Sequence, residues 1–234
     1  MLAGLTGRGV RIAVIDSGVN ANHPHVGGVA GGVAIGGNGI VSSDYVDRLG
    51  HGTAVTAAIR EKAPAAEIVV VKVFDRALAT SITALVAAID WAVEARVQLV
   101  NLSLGTSNAV HEAALRDAVA RAASRRVTIV SAREEDGVRW LPGALPDVLA
   151  VQVNWSVPRD AFRIATIDGG TVFLASGFAR EIPGVPPERN LHGVSLAVAN
   201  MTGFAALAAE SLKGHATVAA IATSLEGMAS ALKG

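Results

Sequence analysis

The chain contains no cysteine, so neither a disulfide framework nor thiol chemistry contributes to its fold or function. Its 20 basic side chains equal its 20 acidic ones. This balance gives no electrostatic reason to expect nucleic acid or an anionic membrane as a partner. No stretch reaches the roughly 18 consecutive apolar residues of a membrane span. The composition is therefore that of a globular protein, and its hydrophobic content of 51% can fill a sizeable core.

The opening stretch also lacks the charged region and the long apolar region of a signal peptide. It reads MLAGLTGRGVRIAVIDSG and passes directly into a strand-like run. The sequence therefore predicts a cytoplasmic location.

Short apolar runs alternate with helix-like segments along the chain. Runs rich in Val, Ile and Leu predict strands buried on both faces of a parallel sheet: Val10–Ile15, Ile68–Phe74, Val97–Leu102, Val127–Ser131 and Val148–Val153. Helices are predicted over Thr53–Ala63, Ser81–Ala95, Ala109–Ser124, Val194–Leu212 and Thr217–Leu232. Asn154–Thr171 is expected to be irregular or antiparallel. The alternation predicts a three-layer α/β fold, and the lack of linkers and repeats predicts one domain over residues 1–234.

Three polar residues stand at the ends of predicted elements. Asp16 ends a buried strand, which is where α/β folds place their sites. His51 stands near a helix start, and Ser195 opens an apolar helix whose free N–H groups favour negative charge. Each has a simpler interpretation, as a turn residue, a helix-start residue or an N-cap. The order acid, histidine, serine is nevertheless the order of the catalytic residues in subtilisin.

Five motifs in this order carry a family resemblance. They are VIDSGV, HGTAV, VNLSLG, LPGALPDVLAV and GVSLA, which stand within about residues 8 to 215. On these motifs the chain resembles the subtilisin-like serine proteases, the subtilases. The resemblance implies a three-layer subtilisin-like fold with a mostly parallel sheet flanked by helices. It also implies that Ser195 attacks a peptide carbonyl, His51 moves the proton and Asp16 orients the histidine.

The resemblance further implies a groove that binds peptide as an added strand. One wall offers backbone groups to the substrate, and the residues predicted to form it are Ser103, Leu104 and Gly105. The opposite wall lacks the expected glycines, and its bulkier residues are expected to narrow the groove: Leu78, Ala79 and Thr80.

The segment SAREED departs from the family, which usually has an Asn that donates a hydrogen bond to the oxyanion. Glu134 is the residue nearest to that Asn by alignment, and Glu135 is the alternative. An ionised glutamate only accepts hydrogen bonds and would repel an oxyanion. Two compensations are conceivable: a protonated Glu134 that donates, or His192 as the donor.

A second departure concerns metal binding. His25 stands where many relatives have an acid that often binds calcium, so the sequence predicts no calcium at that position. His23 and His25 flank a proline without a nearby acid or cysteine, and they are expected to form a solvated turn. No metal and no cofactor are predicted.

Taken together, the sequence predicts a cytoplasmic serine endopeptidase-like hydrolase with an atypical oxyanion hole. Its partner would be a peptide or protein substrate bound as an extended strand. Peptide processing, such as removing a leader or joining two ends, would tolerate a slow rate. Two alternatives stay open: a non-catalytic peptide-binding protein of the same shape, and an esterase or transpeptidase on the same triad.

Overall fold

The computed structural model describes residues 4–213 and 216–231, and within them a mixed sheet forms the centre of the protein. Its strands in chain order are β1 (Arg11–Asp16), β2 (Gly31–Ile35), β3 (Val41–Ser42), β4 (Glu67–Lys72), β5 (Leu99–Leu102), β6 (Thr128–Ala132), β9 (Val148–Val153), β10 (Phe162–Ile167) and β11 (Gly170–Ala175). Between β6 and β9, the strands β7 (Glu134–Glu135) and β8 (Val138–Arg139) form a separate small hairpin.

The strand order is β10-β11-β9-β6-β5-β1-β4-β2-β3. The strands from β11 to β2 run parallel, and the two edge strands β10 and β3 are antiparallel. The centre of the sheet is formed by β5 and β1, in which Ile15 pairs with Leu102. Asp16 and the chain after Leu102 therefore emerge side by side at the carboxyl edge of the sheet.

Helices cover both faces of the sheet. They are α1 (His51–Lys62), α2 (Ile82–Glu94), α3 (Glu112–Ser124), α4 (Val194–Ser211) and α5 (Val218–Ala231). Alternate side chains of β1 enter two separate cores: Ile12 and Val14 pack with α1, α4 and α5, while Ala13 and Ile15 pack with α2 and α3. This arrangement confirms the three-layer α/β fold with a mostly parallel sheet.

The five predicted strands are all present, because each is an apolar run that both cores bury. The predicted helices are present as well, with α1 beginning two residues earlier than expected, at His51. Asn154–Thr171 contains β10, which pairs antiparallel with β11. The last helix is predicted to end at Leu232, which lies outside the described residues. Its described part ends at Ala231.

Helix α4 is long and apolar enough, by length and composition, to cross a membrane. In this fold, 78% of that segment is buried inside the protein. Fourteen consecutive residues, Leu196–Ala209, are buried because the helix lies between the sheet and the helices α1 and α5. Its apolar character on every side is therefore that of a central core helix.

Candidate active site

Asp16 is the last residue of β1, and its side chain is fully buried. Its Oδ1 accepts a hydrogen bond from the backbone N–H of Ser17 at 2.7 Å. The same oxygen lies 2.7 Å from Nδ1 of His51. The other carboxylate oxygen, Oδ2, is buried without a hydrogen-bond partner among the described residues. The carboxylate oxygen of Asp16 that faces the histidine is therefore the one that also accepts a backbone hydrogen bond.

His51 is the first residue of α1, and this position brings its ring to the end of β1. Burial alone would lower the pKa of the imidazole. The hydrogen bond and charge of Asp16, together with the charge of Asp47, outweigh burial and raise the pKa of His51 above its ordinary value. The imidazolium form is thus stabilised by two acids, and the hydrogen bond on Nδ1 leaves Nε2 as the nitrogen that is available for proton transfer.

The close approach of α1 to β1 depends on Gly52. A Cβ atom at this position would lie 2.2 Å from the backbone oxygen of Gly18 and 3.2 Å from Oδ1 of Asp16. Because a Cβ atom does not fit 2.2 Å from a backbone oxygen, the residue after His51 in the HGTAV motif has to be glycine. Glycine lets the helix begin directly against the strand that carries the acid.

Asp47 organises the turn that leads into α1, and the sequence analysis did not single it out. Its carboxylate accepts hydrogen bonds from Ser17 Oγ and from the backbone N–H groups of Leu49, Gly50 and Thr53, all at 2.9 Å, and from Thr53 Oγ1 at 2.6 Å. Burial would raise the pKa of Asp47, but these hydrogen bonds hold it below its ordinary value. Asp47 therefore stabilises the turn before α1 and satisfies the free N–H of Thr53 in the first turn of the helix that begins with His51.

Ser195 is the second residue of α4. Its Oγ donates a hydrogen bond to the backbone oxygen of Ser103 at 3.2 Å. Within the described residues, no hydrogen bond joins Ser195 to His51, although both line the same cavity. Candidate nucleophiles often form a long or different hydrogen bond in the absence of substrate, so this arrangement is compatible with attack after a side-chain rotation.

A chain of buried and half-buried polar groups links Ser195 to the end of β5. Thr202 Oγ1 donates to Asn101 Oδ1 at 2.9 Å, and Asn101 Nδ2 donates to Ser103 Oγ at 2.7 Å. Ser103 Oγ in turn donates to the backbone oxygen of Ser195 at 3.4 Å. The sequence alone did not indicate the roles of Asn101 and Thr202, because these two residues bond to each other across 101 positions.

A cavity of about 350 Å³ lies in front of His51 and Ser195. All six residues that were predicted to bind substrate line it: Leu78, Ala79, Thr80, Ser103, Leu104 and Gly105. The two predicted walls therefore face one groove. Trp140 also lines this groove, and the sequence analysis did not single it out.

The carboxylate beside Ser195 belongs to Glu135, the alternative in the sequence analysis, rather than to Glu134. Oε1 of Glu135 accepts a hydrogen bond from the backbone N–H of Val194 at 3.3 Å. Glu135 also lines a second, smaller cavity next to Ser195, and Glu134 does not. The two glutamates are neighbours in β7, where successive side chains point to opposite sides, so only one of them faces the serine.

His192 does not stand at the proposed oxyanion position. Its ring packs edge-on against Trp155, with centroids 6.0 Å apart, and Nδ1 lies 3.0 Å from the backbone oxygen of Asn190. It lines neither of the two cavities that contact Ser195. The prediction of His192 as a donor is therefore not supported by its position, because neighbouring aromatic rings hold the side chain elsewhere.

Residues 4–213 and 216–231 contain no cluster of three or more His, Asp or Glu side chains that could hold an ion. His23 and His25 contact each other, with ring centroids 5.3 Å apart, and Nδ1 of His23 accepts a hydrogen bond from the backbone N–H of His25. The arrangement is that of a turn stabilised by its own side chain.

Comparison with known proteins gives a family and a fold. Residues 7–152 match the model of a family described as "Subtilase family". The minor extracellular protease Epr of Bacillus subtilis is 37% identical over 65% of this chain and 24% of its own length. An intracellular serine protease of Paenibacillus polymyxa is 25% identical over 86% of this chain and 67% of its own length.

A solved structure, described as a cold adapted subtilisin-like serine proteinase, has a similar fold. It matches 94% of this chain and 81% of its own with a TM-score of 0.70 at 24% identity. The first curated relatives are longer than this chain, which spans between 24% and 58% of their lengths.

Proposed function

Since this chain belongs to the subtilase family, we propose that it is a serine peptidase that cleaves peptide bonds with Asp16, His51 and Ser195. The observation that carries the proposal is the 2.7 Å pair of Asp16 and His51 beside a groove that Ser195 also lines. A buried acid, a histidine and a serine at one end of a groove form the constellation that nucleophilic acyl transfer requires.

The reaction would begin with a rotation of Ser195 Oγ from the Ser103 oxygen towards His51. Nε2 of His51 takes the proton of the hydroxyl as Oγ attacks the substrate carbonyl, and the imidazolium then gives this proton to the leaving amine. Asp16 fixes the tautomer through Nδ1 and stabilises the charged ring. Water then attacks the acyl-enzyme while His51 again acts first as base and then as acid, and the new carboxylate is released from Ser195.

The oxyanion hole would be atypical. The backbone N–H of Ser195 lies in the first turn of α4, where a helix offers no internal acceptor, so it is a suitable donor to the oxyanion. Glu135 occupies the neighbouring N–H of Val194, and its carboxylate only accepts hydrogen bonds. A negative charge next to a developing oxyanion slows the reaction, and removal of a single donor costs about 10² to 10³ in rate in subtilisin, the standard case.

The substrate would lie in the groove as an extended strand. Residues 103–105 follow β5 and line the groove, so their backbone groups are placed to pair with a peptide. A processing role, in which one precursor peptide is cut or its ends are joined, fits a groove narrowed by side chains and a slow oxyanion site.

The cytoplasmic location stays a prediction. The names of the two relatives differ on this point, since one is intracellular and the other extracellular. Fractionation of the source cells, followed by immunodetection in the cytoplasmic and secreted fractions, measures it directly.

Hydrolysis of a mixed peptide library tests the proposed function. Mass spectrometry should show new peptide ends with the unaltered protein and none with Ser195→Ala. Cleavage that persists in Ser195→Ala would contradict the proposal. So would intact binding of peptides without cleavage, which would favour the non-catalytic alternative.

A further inference from the structure

Helix α4 carries a buried amide side chain in the part of the helix that follows Ser195. Asn200 is only 1% exposed, and it stands within the buried and mostly apolar run Leu196–Ala209. Burial of an amide costs free energy unless the group forms hydrogen bonds. The presence of Asn200 in this core therefore depends on the partners that its side chain finds.

One short segment of backbone accepts both hydrogen bonds of this amide. Nδ2 of Asn200 donates to the backbone oxygen of Ser176 at 2.8 Å and to that of Phe178 at 3.1 Å. These two carbonyls flank Gly177, so the helix grips the segment on either side of the glycine. Oδ1 of Asn200, by contrast, is buried and has no hydrogen-bond partner among the described residues.

The unsatisfied oxygen indicates why this position holds an amide. A buried acceptor without a donor is destabilising, and an apolar side chain of the same size would avoid that cost. The two N–H groups of Asn200 are therefore better explained by the backbone that they hold in place than by the stability of the core.

The same segment pairs with the chain that enters α4. The backbone N–H of Gly193 donates to the Gly177 oxygen at 2.9 Å, and Phe178 forms an antiparallel bridge with His192. Gly193 directly precedes α4, in which Ser195 is the second residue. With a φ of 147°, the backbone of Gly193 is in a region that favours glycine and restricts it little. The bond to Gly177 thus helps to fix where the first turn of α4 begins.

Other side chains contact this segment as well. The ring of Trp155 packs edge-on against Phe178 with centroids 5.2 Å apart, and Arg159 Nε donates to the Phe178 oxygen at 3.3 Å. These contacts come from the loop after β9. Asn200 adds a direct link between the segment and the helix that carries the candidate nucleophile.

We propose that Asn200 is a positioning residue for Ser195, which acts by holding residues 176–178 against the start of α4. The inference rests on the proposed function, because it concerns the nucleophile of that same site. Attack requires the reacting atoms to stand about 3 to 3.5 Å apart, and a displacement of about 1 Å can lower the rate by about 10². Peptide binding along residues 103–105 does not use the segment and would be retained.

Asn200→Leu removes both donors and keeps a side chain of similar size. Labelling of Ser195 by a small fluorophosphonate should slow by about 10². With a peptide that the unaltered protein cleaves, kcat should fall by about the same factor while KM changes less than about threefold. Circular dichroism at the assay temperature establishes that the variant is folded. If Asn200→Leu does not fold, Asn200→Ala removes the same donors with less bulk.

Leu207→Ala is the matched control for a general loss of stability. Leu207 is buried in the same helix about two turns further on, and its truncation leaves a cavity in the core. The labelling rate of Leu207→Ala should stay within about twofold of that of the unaltered protein.

Hydrogen exchange measures the anchoring without any turnover. The bond to Gly177 should protect the Gly193 amide in the unaltered protein. In Asn200→Leu this amide should exchange at least about tenfold faster, while the amide of Leu207 in the same helix changes little.

Labelling of Asn200→Leu at the unaltered rate would overturn the inference. So would a Gly193 amide that stays protected, a loss that appears in KM rather than kcat, or an equal loss of rate in Leu207→Ala. Unaltered protein that takes no label refutes the proposed function instead. In that case fast exchange of Gly193 in Asn200→Leu still supports the anchoring of the segment, and slow exchange refutes it.

Discussion

His51 and Asp16 are 35 positions apart in the sequence, and Nδ1 of the histidine lies 2.7 Å from Oδ1 of the acid. The contact exists because β1 ends where α1 begins, and because Gly52 lets the two backbones approach. Asp47 stabilises the same junction from the other side through Ser17 and Thr53. The junction of these two elements is therefore the structural basis of the proposed catalysis.

Replacement of Gly52 by alanine should disrupt this junction. The new methyl group would meet the Gly18 oxygen at 2.2 Å. We expect a loss of stability of about 2 to 3 kcal/mol from overpacking, measured by urea denaturation, together with a fall in peptidase activity. The matched control is Gly227→Ala in α5, where a Cβ meets nothing within 4 Å. It should raise stability by about 0.5 to 1 kcal/mol. Equal effects of the two changes would contradict the steric argument.

Asp47→Asn should shift the pH profile of kcat/KM. His51 must be neutral to accept the serine proton, so activity falls as the pH decreases through its raised pKa. Because the charge of Asp47 contributes to that increase, its removal should move the acidic limb to lower pH. Asp44→Asn is the control, since this exposed acid pairs with Arg48 and does not contribute to the raised pKa of His51. If the acidic limb of the kcat/KM profile stays in place in Asp47→Asn, the charge of Asp47 does not contribute to the raised pKa of His51.

The same Asp47→Asn change should also lower the stability, by about 1 to 2 kcal/mol at neutral pH, because it weakens the hydrogen bonds that hold the turn before α1 and the N–H of Thr53. The native pKa of Asp47 is depressed, so its contribution is full above the pKa of the unfolded chain and is lost as the pH falls through the native value. The difference in urea midpoint between the two proteins should therefore shrink in acid. A constant difference at all pH values would contradict this assignment.

The apolar runs of the sequence were sufficient to predict β1, β4, β5, β6 and β9, because central parallel strands are buried on both faces. They were not sufficient for β2, whose run of glycines has no strand-like pattern although it pairs with β4. Glu134 was chosen over Glu135 by alignment, and a shift of one residue in a strand exchanges the two faces. The side chains that support the triad were missed because hydrogen bonds to distant partners leave no periodic signal.

Leu78→Ala should widen the groove. Leu78 is exposed and lines the wall opposite residues 103–105. Peptides with a bulky side chain facing that wall should gain about tenfold in kcat/KM, as expected when a few methylene-sized contacts are relieved, while peptides with small side chains change little. Ile182→Ala, at another exposed apolar residue outside this cavity, should change neither class. If unaltered protein already cuts bulky and small substrates equally at every position, the wall does not select for size.

Removal of calcium by a chelator should leave the thermal stability of the protein unchanged. His25, where many relatives have an acid, contributes no hard oxygen ligand, and hard cations such as calcium bind through oxygen. Thermal denaturation with and without excess EDTA should give the same Tm within error. A clear decrease with EDTA that added calcium reverses would reveal a cation site and contradict the prediction.

The reactivity of Ser195 tests the central claim most directly. The protein should be incubated with a fluorophosphonate and the modified residue identified by mass spectrometry. The account predicts one adduct, on Ser195, none in Ser195→Ala, and labelling slowed by about 10³ to 10⁴ in Asp16→Asn, where the histidine tautomer is no longer fixed. A folded protein that stays unlabelled after long exposure, or one labelled equally fast in Asp16→Asn, would contradict it.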